Sequence, residues 1–287
     1  MQDLLAHPAI QSAVAPLISS LVVALLLRRA GNQWQGLAVV TGFLVAVLLI
    51  TGLSFQPLTS TRKIILCSLM LPFAAVPLFQ MKCSVFVRTL LLSVALACAA
   101  LWVAWPVLGR QEGLALWLTG GRVALFSAAI GVGMSWLDRV SVPRQGGAML
   151  ALSMGVGASA LIAASALYGQ LAFAVSAAVG GLLLVVLLEA TIKISDSDKM
   201  RSGLGGLSLF AVGVPLGLIG GAATVYTQLP AVALLSLVLI PVVAAIPVFR
   251  RFNPWISASL TTISGLIIAA PALWLAWQAA ESSMGYY

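Results

Sequence analysis

The sequence has very few charged side chains. Charged residues make up 8% of the 287 positions, whereas hydrophobic residues make up 61%. A water-soluble protein of this size needs more polar groups to cover its surface. The composition therefore predicts an integral membrane protein and excludes a soluble α/β enzyme, a coiled coil and a disordered chain. Once ten spans of about 20 residues are allotted, too little chain remains for an extramembrane domain with its own core.

Histidine and cysteine are also scarce. The single histidine, His7, lies in the amino-terminal tail, so no intramembrane haem, copper or zinc site can be built on imidazole. Cys67 and Cys98 lie inside apolar runs and Cys83 lies in a predicted cytoplasmic loop, which is not the pattern of a disulfide framework. We therefore expect free thiols, no metal and no cofactor.

Several function classes lack the residues that they require. Intramembrane proteolysis needs serine with histidine, paired aspartates or zinc, and lipid-linked transfer reactions recruit clusters of acidic or arginine side chains. Neither set lies in the apolar runs, and no phosphate-cradling glycine loop with its lysine is present. The basic residues are scattered among loops rather than gathered on one face. We therefore expect neither an enzyme nor a nucleic-acid partner.

Apolar runs bounded by charges or by Gly, Pro and Asn clusters predict an all-α, polytopic protein of about ten transmembrane helices, forming a single domain over residues 1–287. Tyr168-Gly169-Gln170 is predicted to be the tight turn between the sixth and seventh helices. Because that turn and the third apolar run are both short, nine or eleven spans are alternatives to ten. The predicted helices cover residues 10–27, 36–53, 64–79, 89–108, 114–137, 148–168, 171–192, 204–226, 229–249 and 255–278.

The basic residues indicate the orientation, because loops rich in lysine and arginine stay in the cytoplasm. Placing both termini outside puts eleven basic residues inside and three outside. This predicts a protein of the inner (plasma) membrane with both termini periplasmic. The lipid bilayer is the expected partner. Binding to other membrane subunits or to a second copy of the chain is an alternative that the sequence does not decide. The residues predicted to be inside are Arg28, Arg29, Lys82, Arg88, Arg139, Arg144, Lys193, Lys199, Arg201, Arg250 and Arg251.

Three pairs of segments resemble each other at a nearly constant displacement. Residues 100–105 match residues 272–277 at five of six positions with an offset of 172, and Gly36-Leu37 corresponds to Gly206-Leu207 with an offset of 170. The pattern predicts a parallel 4+2+4 repeat, with units 10–108 and 171–278 joined by linking helices over 114–168. Chance similarity in a chain rich in Ala, Leu, Val and Gly is the alternative.

The third matching pair carries two prolines in each copy. Pro72 and Pro77 lie in the third predicted helix, and Pro241 and Pro247 lie in the ninth. Prolines inside helices break or kink them and free backbone carbonyls. If the protein has a substrate site, we expect it at these matched prolines.

Two charged residues fall well inside predicted spans, where ions are costly. Arg122 could snorkel outward to lipid headgroups or bind an anion. Glu189 could form an ion pair with Lys193 one turn on, or carry a proton or contact substrate. Their predicted depths differ by several times salt-bridge reach, so we do not expect them to pair with each other.

The eighth predicted helix carries a stripe of small residues, Gly213, Gly217 and Gly221. Glycines at this spacing allow close helix packing, and a substrate-lining groove is the weaker alternative. Two functions remain. The first is a transporter or permease for a neutral or weakly polar solute, bound through backbone carbonyls and hydroxyls. The alternative is a non-catalytic membrane subunit or scaffold of a larger complex.

Overall fold

The computed structural model describes residues 7–29, 34–52, 56–80, 84–163, 165–192, 204–227, 229–246 and 252–284. Within these ranges the chain is helical with no strand, which confirms the all-α prediction. The helices are α1 (Ile10–Leu27, opening with a π-helical turn at Ile10–Val14), α2 (Gly36–Ile50), α3 (Ser60–Gln80), α4 (Val85–Leu108), α5 (Gly113–Leu137), α6 (Val142–Ile162), α7 (Ala166–Ile192), α8 (Gly205–Tyr226), α9 (Ala233–Ala244) and α10 (Pro254–Met284).

Some residues used in the predictions above cannot be placed. The residues that lie outside the described ranges are Lys82, Cys83, Lys193, Lys199, Arg201, Pro247, Arg250 and Arg251. Cys67 and Cys98 are free thiols, Cys67 buried and Cys98 exposed.

Eight of the helices in the described ranges are long and apolar enough to cross a membrane. The other two, α2 and α9, are apolar but contain only 15 and 12 residues. At 1.5 Å per residue these two helices are about 22 Å and 18 Å long, less than the ~30 Å hydrocarbon core. The protein is therefore a multi-pass membrane protein, and α2 and α9 do not fill the bilayer thickness by helix alone.

Helix α8 lies at the centre of the bundle, and nearly all of its side chains are buried. It packs against α2, α3, α4, α5, α6 and α7. The glycines of α8 permit packing against so many helices, because a helix without side chains at its contact points can approach several neighbours closely. Around this centre, α1 packs on α2 and α7, α4 packs on α5, and α10 packs on α6 and α9.

The structure corrects two boundaries, the start of the sixth helix and the junction between the sixth and seventh helices. α6 begins at Val142 rather than 148, because Ser141 is extended and Pro143 lies in the first turn, where its missing N–H costs nothing. Tyr168-Gly169-Gln170 is not a turn but part of α7. Ser165 precedes α7, and its Oγ accepts a hydrogen bond from the Tyr168 N–H at 3.3 Å. The polar first turn of α6 is the reason why the prediction from apolar runs began this helix six residues too late.

Candidate functional site

The predicted helix breaks are corrected for α3, which runs unbroken through both of its prolines. Pro72 is buried in the bundle and Pro77 is exposed. Pro241 is buried inside α9, which ends three residues later at Ala244. Because the helix continues, any freed carbonyl lies within a regular helical backbone rather than in an unwound segment.

Ser68 lies one turn before Pro72 and combines a hydroxyl without a partner among the described residues with a carbonyl that lacks its usual helical amide. Its side chain is only 2% exposed, and its Oγ has no hydrogen-bond partner among the described residues. Its carbonyl loses the usual amide partner four residues on, since proline has no N–H. A hydroxyl can donate and accept, and a carbonyl accepts, so one residue offers both kinds of group.

The position of Ser68 suits a binding site within the bilayer. It lies eight residues into α3, which is about 12 Å along the helix. α3 packs against the central helix α8 and against α4, so Ser68 lies inside the bundle rather than on the lipid-facing surface. An unmet polar group in such surroundings costs about 1–3 kcal/mol, which makes it a candidate contact for a ligand.

Another proline shows how a freed carbonyl is satisfied elsewhere in the protein. Pro106 lies inside α4 and therefore leaves the Trp102 carbonyl without its helical partner. Lys63 Nζ donates to this oxygen at 3.2 Å and lies 4.9 Å from the centre of the Trp102 ring. The ammonium group thus supplies the missing donor near the amino-terminal end of α3.

The two intramembrane charges lie apart from this position and from each other. Arg122 is exposed on the outer face of α5, which favours the snorkelling interpretation over an internal anion site. Glu189 is half-buried near the end of α7, and the residue predicted to pair with it, Lys193, lies outside the described residues. An ion pair within the described ranges joins two other residues, Arg88 and Asp138.

The glycine stripe of α8 faces two neighbouring helices. A methyl group added at Gly213 would lie 2.6 Å from Met134 Cγ on α5, and one at Gly217 would lie 3.1 Å from Leu96 Cδ2 on α4. At Gly221 the nearest atoms belong to α5, at 3.3 Å. Ser127 Oγ donates to the Gly217 carbonyl at 3.0 Å, which joins α5 to α8 across this contact.

Arg144, which is predicted from the sequence to lie in a loop, is a buried charged residue. It is 4% exposed in the first turn of α6. Its Nη2 donates to the carbonyl of Ala244 and, at 2.6 Å, to that of Ile246. The first carbonyl ends α9 and the second lies two residues beyond it, where helical partners run out. Arg144 therefore caps α9 from α6.

Gln145 makes a second link from the same turn. Its Nε2 donates to the Leu137 carbonyl at 2.6 Å, and its Oε1 accepts from the Leu204 N–H at 2.9 Å. The end of α5 and the start of α8 are thus joined through one fully buried amide. Pro143 was the signal for this arrangement, because proline is favoured in the first turn of a helix.

Arg88 and Asp138 join α3, α4 and the end of α5 at one end of the bundle. Arg88 Nη2 lies 3.2 Å from Asp138 Oδ2, and its guanidinium carbon lies 3.9 Å from the centre of the Phe79 ring. Burial raises the pKa of Asp138, and the charge of Arg88 offsets part of that rise. In the described residues no three His, Cys, Asp or Glu side chains are grouped to hold a metal.

A comparison with protein-family models finds no match to this chain, and a comparison with curated proteins finds no match either. A function for this chain is therefore inferred from the contacts of its own residues.

Proposed function

We propose that this protein is a transporter or permease for a small neutral or weakly polar solute, and that Ser68 on α3 contacts the solute. The observation that carries the proposal is the buried Ser68 hydroxyl, which has no hydrogen-bond partner in the part of the chain that the structure describes, next to a carbonyl deprived of its helical amide by Pro72. A solute that both donates and accepts hydrogen bonds would satisfy the two groups. No charge is needed on either partner, and no catalytic step is assigned.

The membrane and the orientation are part of the proposal. Lysine and arginine gather at alternate loops in the sequence, which supports an inner-membrane protein with both termini periplasmic. Reporter fusions at residues 1 and 287 should both give a periplasmic signal. A cytoplasmic signal from either terminus would contradict this orientation.

Replacing Ser68 with alanine is the direct test of the transport proposal. The purified chain would be reconstituted into liposomes and its uptake of a panel of radiolabelled neutral solutes measured. We expect S68A to raise the half-saturation concentration for the transported solute about fivefold, as expected for one lost hydrogen bond. Thermal stability should stay equal or rise, because the hydroxyl has no hydrogen bond to lose within the described ranges.

Ser153 provides a matched control for this substitution. It is equally buried, but its Oγ donates to the Met149 carbonyl of its own helix α6 at 2.8 Å. S153A should therefore leave the half-saturation concentration unchanged. Equal transport by S68A and S153A would contradict the role of Ser68, and absence of uptake of every solute by the reconstituted wild type would contradict transport.

Dense packing around α8 favours a second candidate, a non-catalytic membrane subunit or scaffold. Methyl groups added at Gly206 and Gly220 would collide with the rings of Phe79 and Phe126, so the centre of the bundle is filled by these contacts. Such a subunit should copurify in stoichiometric amounts with other chains after mild extraction from native membranes. A transporter acting alone should purify as a stable monomer or dimer.

A further inference from the structure

A groove of about 390 Å³ runs between the first turns of α4 and the last turns of α5. Its sides are formed by apolar residues that also face outward from the bundle, among them Phe86, Leu90 and Trp136, all of them exposed. The groove therefore opens toward the membrane rather than toward the centre of the protein. Its volume lies in the range of small-molecule sites, about 300–1,000 Å³.

The inner end of the groove is closed and polar. A methyl group added at Gly131 of α5 would lie 2.9 Å from Ser93 Oγ, so the two helices touch at this level. Ser93 lines the groove and is 6% exposed. Its Oγ has no hydrogen-bond partner among the described residues. The closed end thus carries a buried hydroxyl at the contact between α4 and α5.

The mouth of the groove is positively charged. Arg139, directly after α5, lines it. Asp138 is paired with Arg88 at 3.2 Å and is also attracted to Arg139, so one carboxylate faces two guanidinium groups and a net positive charge remains. The groove also includes Val85 and Phe86, the first residues of α4, whose amides have no intrahelical acceptor and lie at the positive end of the helix dipole.

We propose that this groove binds an anionic glycerophospholipid, with the phosphate at Arg139 and an ester oxygen accepting a hydrogen bond from Ser93. The glycerol unit joins phosphate and ester within one molecule, so a single lipid makes both contacts. Its acyl chains lie against the exposed apolar face of α4, where Leu90 and Val94 are about half exposed. The site does not depend on transport activity.

A lipid fits the groove better than a water-soluble anion for two reasons. The walls are apolar and open to the bilayer, so a hydrated ion would gain nothing from them. The mouth lies at the end of the bundle that carries Arg88 and Arg139, which the sequence predicts to face the cytoplasm. Basic pockets between helices on that side of a membrane recruit anionic headgroups.

Lipid retention by the purified full-length protein tests the proposal. Native mass spectrometry would count bound molecules as phosphatidylglycerol or phosphatidylcholine is titrated into the detergent solution. We expect the wild type to bind phosphatidylglycerol more tightly than phosphatidylcholine. In R139Q the ratio of the two affinities should be about fivefold smaller, which is the usual contribution of one basic residue at an anionic membrane surface. R28Q is the matched control, since Arg28 is exposed on the same predicted side, and should leave the preference unchanged.

Filling the groove gives an independent variant. Thr89 lines the groove, and T89F should weaken phosphatidylglycerol binding while leaving Arg139 in place. Equal binding of both lipids by the wild type would overturn the proposal, as would an unchanged preference in R139Q. Competition by inorganic phosphate at equal concentration would also overturn it, because it would show that the mouth binds free phosphate rather than a lipid.

Discussion

Replacing Arg144 with methionine is expected to lower the free energy of unfolding by about 3 kcal/mol. Arg144 Nη2 donates to the carbonyls of Ala244 and Ile246 at the end of α9. Methionine keeps much of the volume but donates nothing, so both carbonyls lose a charged donor in an apolar interior. Relief from burying the guanidinium charge offsets part of the loss. Unfolding in detergent, followed by circular dichroism, measures the change.

Arg29 is the control for this substitution, because it is exposed after the end of α1. R29M should change the free energy of unfolding by less than about 0.5 kcal/mol. R144K should fall between R144M and the wild type, since lysine keeps the charge but lacks the planar fork of donors. If R144M is as stable as R29M, the capping role of Arg144 is wrong.

The ten helices of the described ranges could be located from the sequence because lipid requires long continuous apolar runs. All ten predicted segments correspond to observed helices, and the ends of α1 at Leu27 and α5 at Leu137 agree to the residue. The sixth helix was placed six residues too late, because its first turn contains buried Arg144 and Gln145. Hydropathy cannot distinguish a polar turn buried by neighbouring helices from a loop in water.

The candidate site could be predicted only in part from the sequence. The matched prolines pointed to α3, and Pro72 does lie one turn from Ser68. Ser68 itself could not be selected, because the chain has many serines and the buried ones differ: some return their hydroxyl to their own helix, as Ser153 does, and others bond to a neighbouring helix, as Ser127 does. Whether a hydroxyl has a partner depends on side-chain geometry, which a sequence pattern does not contain. The parallel repeat remains a prediction.

Replacing Gly181 with alanine is expected to destabilise the protein by about 2 kcal/mol, within the range for overpacked cores. α1 and α7 are in backbone contact here. A methyl group at Gly181 would lie 2.6 Å from the Leu17 carbonyl oxygen and 3.0 Å from the Leu21 nitrogen. Because both atoms belong to the α1 backbone, no side chain can move aside. α1 must shift instead, which strains the bond from Ser20 Oγ to the Ala178 carbonyl, 2.6 Å long.

The adjacent residue, Gly180, provides a matched control for the substitution at Gly181. It lies in the same helix, and a methyl group there would meet no atom within 4 Å. Alanine at position 180 should therefore stabilise the protein by about 0.5–1 kcal/mol through its better helix propensity. The two variants share chemistry, helix and depth, so their opposite signs would isolate the contact with α1. Thermal unfolding of both in one detergent is the measurement, and equal stability of G180A and G181A would mean that α1 does not touch α7 at this level.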